Sequence, residues 1–320
     1  MSTTTRRQFL QTTAALAAGA VLPRRASAEP MPTRRLGKTG LDIPLVGLGT
    51  ACCGQSNTVT MEETLATYRA ALDEGILWFD AARIYGKAET ALNQVLRGHR
   101  DQVFVTTKAG PNDPDGAQRS FDESLKQLGM DHVDVLYLHE CGMRDIKRAM
   151  DPGGVLDWLE QQKKAGKARF IGATAHAKAA NVVPLIDSGR LDVTMFPINY
   201  VDTHQYQFEQ HILAAARRQN MGVVAMKVFG GIGGKDWGRY LGPNVGPQVA
   251  ADRLQSALRY ALSQDGVACA VLGMHTAEQV KQNLAWARAF QPLGAEEMKA
   301  LLAEGEKLVA DWSPRFGPVA

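Results

Sequence analysis

Apolar and polar stretches alternate along this chain with a regular beat. Short apolar runs recur near residues 45–49, 76–80, 103–107, 133–138, 168–173, 191–196, 222–226 and 268–272. Most are separated by segments with helical spacing. Met61, Leu65, Tyr68 and Leu72 share one helix face, as do Val155, Trp158, Leu159 and, less cleanly, Gln162. Thr276 to Gln279 reads as a capping box opening a last helix. Eight strand–helix units in about 250 residues predict a parallel sheet closed into a (β/α)8 barrel of the α/β class. The runner-up, a doubly wound open sheet, wants G-x-G-x-x-G after its first strand, and Gly47-Leu48-Gly49-Thr50 only begins that pattern. Two segments fall outside the repeat. Residues 33–44 read as a hairpin around Lys38-Thr39-Gly40, placed to plug the barrel floor, and residues 295–310 read as an extra C-terminal helix.

Four polar residues stand where the apolar runs stop: Asp80, Tyr85, Lys108 and His139. In parallel sheets chemistry collects at the carboxyl ends of the strands. A carboxylate, a phenol, an amine and an imidazole gathered there make a proton-transfer site. Each alone has a plain structural explanation: an ion pair, a half-buried aromatic, a core histidine. All four together, at or just past strand ends, argue for a site.

The formal charge of the 320-residue chain is +3, but residues 1–28 hold Arg6, Arg7, Arg24 and Arg25 and no acid, so the remainder is close to neutral. No electrostatic case for nucleic acid or an anionic membrane survives. Those same residues read as an export signal. Thr5-Arg6-Arg7-Gln8-Phe9-Leu10 resembles a twin-arginine signal, Ala14 to Leu22 is weakly apolar, and Ala26-Ser27-Ala28 is a small-residue cleavage site. The apolar stretch is too short to span a bilayer as a mature helix. The expectation is a signal peptide over 1–28, a barrel over 29–320, the twin-arginine translocase as export partner, and a periplasmic or secreted product. Cys52, Cys53, Cys141 and Cys269 show no metal spacing, and no H-x-x-x-H pair occurs among seven histidines, so no metal site is expected.

The motifs around the four polar residues are specific. Gly75 to Glu89 (GILWFDAARIYGKAE) resembles the signature of the aldo-keto reductases, an Asp followed five residues later by Tyr-Gly and then by Glu. Val105-Thr106-Thr107-Lys108 resembles that family's strand ending in Lys, and Asp131 to His139 (DHVDVLYLH) its strand ending in His. The resemblance covers nearly all of the chain after residue 33. It implies a nicotinamide-dependent oxidoreductase that reduces a small aldehyde or ketone, with Tyr85 as general acid, Lys108 and Asp80 behind it, and His139 orienting the carbonyl oxygen. A phenol has a reference pKa of about 10 and is a poor acid until a nearby ammonium stabilises its anion. The resemblance also assigns Gly230, Gly231 and Gly233 of the segment Met226 to Gly234 (MKVFGGIGG) to the cofactor pyrophosphate, where glycines admit backbone N–H groups close to phosphate. It assigns Thr174 to the nicotinamide carboxamide, Asn283 to the adenine end, and Thr50 and Asn199 to the same cofactor.

There are departures from the family pattern. Thr174-Ala175-His176 stands where Ser-Asn is common, Met195 where a Gln is common, and Ala81 where a Thr often follows the Asp. The segment that usually grips a 2′-phosphate with Lys and Arg reads Gly273-Met274-His275, with Gln279 later, so the choice between NADP and NAD stays open. Two further readings stand beside the reductase: a Schiff-base aldolase using Lys108, and a non-catalytic sensor of nicotinamide nucleotides. The loops expected to decide the substrate are Cys52-Cys53, Met143 to Met150, Trp237 to Leu241, and the tail with Trp312 and Phe316.

Overall fold

Eight parallel strands close on themselves in the computed structural model, which describes residues 31–231, 249–312, 314 and 316–319. In chain order the elements begin with β1 (Thr33–Arg35), β2 (Asp42–Pro44), β3 (Val46–Gly49), α1 (Ala51–Gly54), α2 (Met61–Asp73), β4 (Trp78–Asp80) and α3 (Ala88–Leu96). Then come β5 (Phe104–Ala109), α4 (Pro114–Leu128), β6 (Val133–Leu138), α5 (Ile146–Met150), α6 (Val155–Lys164), β7 (Ala168–Thr174) and α7 (Ala179–Asp187). The chain continues through β8 (Val193–Pro197), a π-helical turn at Glu209–Leu213, α8 (Ala214–Arg218), β9 (Gly222–Met226), α9 (Leu254–Ser263), β10 (Val267–Gly273), α10 (Ala277–Arg288) and α11 (Ala295–Trp312). The barrel order is β10-β3-β4-β5-β6-β7-β8-β9, closed where β10 pairs with both β3 and β9. The expected (β/α)8 barrel is the observed fold, and the open sheet is not.

Strand alternation decides which residues face inward. Trp78, Val135, Tyr137, Val193, Met195, Val224, Cys269 and Val271 form one buried cluster inside the barrel, while Phe79, Val105, Leu136 and Leu138 join the second core between strands and helices. Two residues on from Trp78, Thr106 and Tyr137 stand Asp80, Lys108 and His139. The top inward layer is therefore polar where the layers beneath it are apolar.

The floor is closed by the hairpin. β1 pairs antiparallel with β2, and the hairpin places Leu36, just after β1, and Ile43, within β2, both fully buried, in the interior cluster. The Lys38 N–H donates to the Asn220 carbonyl at 2.6 Å. Gly37 lies so close to the start of β9 that a Cβ there would meet the Gly222 nitrogen at 2.5 Å.

Two expectations need correction in detail. The buried residues of α2 are Thr64, Thr67, Tyr68 and Ala71, while Met61, Leu65 and Leu72 of the expected row are partly buried and pack against the same core. The Thr64 and Thr67 hydroxyls donate to the Thr60 and His275 carbonyls, which makes a threonine face compatible with burial. At α10, Thr276 accepts from the Gln279 N–H at 3.3 Å, but the Gln279 side chain reaches back to the His275 N–H rather than to the cap residue. The true capping box belongs to α2, between Thr60 and Glu63. The expected signal peptide, Gly233 and the Trp237 to Leu241 loop lie outside the described residues.

Candidate active site

The carboxyl ends of β4, β5 and β6 bring Asp80, Lys108 and His139 to one rim, and the loop after β4 adds Tyr85. Lys108 is almost wholly buried, a costly place for an ammonium. Its three N–H groups are all satisfied: they donate to Asp80 Oδ1 at 2.8 Å, Asp80 Oδ2 at 2.7 Å and the Ala81 carbonyl at 2.7 Å. Asp80 accepts in addition from the Thr106 hydroxyl at 2.7 Å. Burial draws the Lys108 pKa down while the facing Asp80 carboxylate draws it back up. A lysine held as an ammonium by three acceptors presents no lone pair, which argues against the Schiff-base reading.

Lys108 Nζ lies 4.8 Å from the centroid of the Tyr85 ring, and the ring meets His139 edge-on at 6.1 Å. The loop carrying Tyr85 is fixed by close backbone contact with α1. Lys87 N–H donates to the Gly54 carbonyl at 3.1 Å, and a Cβ on Gly54 would come within 2.4 Å of the Tyr85 carbonyl oxygen. Gly86, at φ 56°, would meet Gly54 in the same way. Neither site tolerates a side chain, so the pair of glycines sets where Tyr85 stands.

Burial, and next the charge of Lys108, hold the His139 pKa well below the usual histidine value, so its imidazole is neutral. The following residue, Glu140, takes a left-handed backbone at φ 56°. Its N–H donates to the Thr174 hydroxyl at 3.0 Å, and its carboxylate pairs with His176 Nδ1. The His176 ring lies 6.1 Å from that of His139, tilted by 57°. Arg144 ties this corner together: its Nε donates to the His139 carbonyl at 3.0 Å, and its two Nη groups donate to the carbonyls of Ala109, Gly110 and Pro111 and to Asn112 Oδ1. One buried guanidinium thus staples the strand ends that carry Lys108 and His139. Sequence reasoning missed the roles of Glu140 and Arg144; the only local signal was their nearness to His139.

A cavity opens above this rim. Asp80, Tyr85 and His176 line one end, and His275, Gln279, Asn283 and Trp286 line the other, with Gly49, Cys52, Lys227, Phe229, Gly231 and Gly273 between. Of the residues assigned to a cofactor, Gly231 and Asn283 lie on this wall. Thr50 and Thr174 are fully buried next to it; Thr50 donates to the Asp80 carbonyl at 2.8 Å. Gly230 closes a turn onto the Lys227 carbonyl at 2.7 Å, Lys227 itself being left-handed at φ 55°. The Asn199 amide is engaged internally, with Asp202 Oδ2, the Lys227 carbonyl and the N–H groups of Val201 and Asp202, so it shapes the turn rather than facing the cavity. Trp312 donates to Asp202 Oδ1 at 3.0 Å and Phe316 packs on Tyr206, so these tail aromatics are packing rather than pocket wall.

The cavity suits a dinucleotide. Its wall includes Asp80 and Tyr85 of the proton-transfer rim as well as His275, Gln279 and Asn283, a Cβ on the left-handed Gly231 (φ 62°) of that wall would crowd the Lys227 side chain, and the buried His275 Nε2 has no hydrogen-bond partner.

The pattern defining the aldo/keto reductase family matches residues 45–248, and that of a twin-arginine translocation signal matches residues 3–23. The chain belongs to the aldo/keto reductase family. As a member it is an NAD(P)H-dependent oxidoreductase acting on a small carbonyl compound, and its leader directs export. Among similar proteins, the pyridoxal 4-dehydrogenase of Microbacterium luteolum is 26% identical over 316 residues, covering 79% of this chain and 92% of that protein. The L-galactose dehydrogenase of Arabidopsis thaliana is 26% identical over 293 residues, covering 82% and 90%. An aldo-keto reductase from Klebsiella pneumoniae, solved in complex with NADPH, superimposes with a TM-score of 0.66 at 22% identity, covering 85% of this chain and 94% of that one. No described helix is long and apolar enough to cross a membrane.

Proposed function

We propose that this family member reduces an aldehyde or ketone to an alcohol after export, in the periplasm or outside the cell, with Tyr85 as the general acid. Cleavage after Ala28 would leave the barrel as the mature enzyme. A nicotinamide cofactor, when bound, supplies a hydride to the carbonyl carbon. The chain's own residues govern the oxygen. Tyr85 gives its proton to that oxygen, and the Lys108 ammonium stabilises the phenolate left behind. Asp80 keeps Lys108 charged and aimed. The neutral His139 imidazole orients the carbonyl by a hydrogen bond. Gly230, Gly231 and Gly233 would admit the phosphates, Thr174 would meet the carboxamide, Thr50 and Asn199 would brace the wall, and Asn283 would meet the adenine end. The observation that carries the reading is the buried Lys108, fully engaged with Asp80 and 4.8 Å from the Tyr85 ring.

The relatives' names span a pyridoxal and a hexose, so the substrate is framed as a class. The test is a fluorescence titration with NADH and NADPH followed by turnover on a carbonyl panel, for wild type and Tyr85→Phe. The expected result is intact cofactor binding with turnover reduced about 10²- to 10⁴-fold, the range for loss of a positioned acid. Near-normal turnover in Tyr85→Phe would remove Tyr85 from the role. Cofactor binding without turnover on any carbonyl would favour the sensor.

A further inference from the structure

The cavity wall holds a pair of thiols that the reduction does not use. Cys52 and Cys53 sit in α1, directly after β3, and both sulfurs converge on one acceptor: each Sγ lies 3.3 Å from the Met274 carbonyl oxygen. Cys52 lines the cavity; Cys53 lies behind it, fully buried. The sulfur of Cys52 packs against the end of β10, where a Cβ on Gly273 would meet it at 3.3 Å. The next residue but one, His275, lines the same cavity.

We infer that Cys52 and Cys53 form a two-sulfur site for a soft thiophilic centre, Cu(I) or trivalent arsenic, and that filling it shuts the cofactor cavity. This rests on the reading of that cavity as the nicotinamide site. Three arguments lead here. Adjacent cysteines do not readily form a disulfide with each other: their Cα atoms are about 3.8 Å apart across a trans peptide, short of the usual range of about 4.4–6.8 Å for a bridge. The pair is therefore preserved as thiols in an oxidising compartment, to which the export leader directs the chain. No group of three or more metal-binding side chains occurs among the described residues, so a four-coordinate zinc is not served. Two sulfurs alone suit a two-coordinate soft ion, or an arsenical whose third bond is to carbon. Finally, Cys52 lines the cavity while Cys53 lies fully buried behind it, so the cavity-facing sulfur is the one that attacks first.

The chemistry balances without an oxidant. With phenylarsine oxide two As–S bonds form, and the arsenic-bound oxygen leaves with both thiol protons as water. With Cu(I) two S–Cu bonds form and both protons are released. Either product breaks the two contacts to Met274 and displaces the segment leading to His275. It also presses on α1, whose Gly54 holds the Tyr85 loop.

The test treats the exported enzyme with phenylarsine oxide in one arm and with Cu(I), delivered against bicinchoninate, in the other. Intact and peptide mass spectrometry locate the adduct, and NADH fluorescence titration follows the cavity. The expected result is one centre per chain on the peptide bearing both cysteines, removed by a dithiol but not by a monothiol, with NADH affinity lowered about tenfold or more. Cys52→Ser and Cys53→Ser, checked for folding by circular dichroism, should each lose the monothiol-resistant adduct. An arm that loads while the other does not identifies the source. Persistence of that adduct in either variant, its location on Cys141 or Cys269, or unchanged NADH affinity in the loaded protein would overturn the inference. Failure of the untreated enzyme to bind NADH or NADPH overturns the cavity reading instead, and an adduct seen by mass would still stand.

Discussion

The two ends of this barrel are built from the same strands yet obey different rules. At the floor, Leu36 and Ile43 are driven into an apolar interior by the β1–β2 hairpin, and its charged residues, such as the exposed Arg35–Asp42 pair, lie outside that interior cluster. At the carboxyl rim, the same inward rows end in Asp80, Lys108 and His139, with left-handed Glu140 and Lys227 beside them. The floor is stabilised by removal of apolar area from water, at roughly 25 cal/mol per Å². The rim places an ion pair where an unpaired charge would cost several kcal/mol, and uses hydrogen bonds to offset that. A barrel therefore concentrates its stability at one end and its chemistry at the other.

The sharpest way to break this contrast is Lys108→Met. It removes the ammonium behind Tyr85 and strands the Asp80 carboxylate. Turnover should fall about 10²- to 10⁴-fold, and stability should drop by about 3–5 kcal/mol, the cost of leaving a buried charge unanswered. Chemical denaturation and turnover on the same preparation measure both; a variant that kept full stability would mean that Asp80 is not held by Lys108 in solution. Leu36→Ala is the counterpart at the floor. It should cost about 2–5 kcal/mol through the cavity left behind, with turnover unchanged below the melting transition. A comparable loss of turnover would show that floor and rim are coupled.

The sequence announced the barrel because its strand runs are short, apolar and evenly spaced, and Asp80, Lys108 and His139 were legible as polar residues ending such runs. Tyr85 was legible only through the motif around it, since a loop tyrosine has no periodicity to betray it. The Glu140–His176 pair and the Arg144 staple were not legible. Each joins residues whose neighbourhood is set by barrel closure: Glu140 to His176 across β7, and Arg144 to the loop after β5. The convergence of Cys52 and Cys53 on Met274 was hidden for the same reason, because β3 and β10 meet only when the ring closes. The face of α2 was read only in part, because buried threonines whose hydroxyls find carbonyls look polar in a linear pattern.

A second buried carboxyl sharpens the point about paired charge. Glu209, in the π-helical turn, has no ion-pair partner among the described residues; it accepts from the Tyr260 hydroxyl at 3.2 Å, and burial pushes its pKa up to about 7. A folded-state pKa raised above the ordinary carboxylate value gives stability that is fully present below the unfolded value. That stability is lost as pH rises through about 7. The loss should be on the order of 3 kcal/mol. In Glu209→Gln the pH dependence of Tm across this window should flatten, leaving the variant the more stable protein at the alkaline end. An unaltered pH profile would assign the titration to another group.

The smallest effect separates two helix caps that look alike. Thr60 accepts from the Glu63 N–H at 3.2 Å at the start of α2, and Thr276 accepts from the Gln279 N–H at 3.3 Å at the start of α10. Replacing either by alanine should cost about 1 kcal/mol. The consequences part there. Gln279 and His275 line the cavity and are joined by the Gln279 Oε1 bond to the His275 N–H at 2.7 Å, so Thr276→Ala loosens a piece of the cofactor wall as well as a helix end. Thr60 has no such connection. Thr276→Ala should weaken NADH binding while Thr60→Ala leaves it alone at the same loss of Tm. Equal shifts in cofactor affinity from the two would mean that α10 touches the site only through global stability.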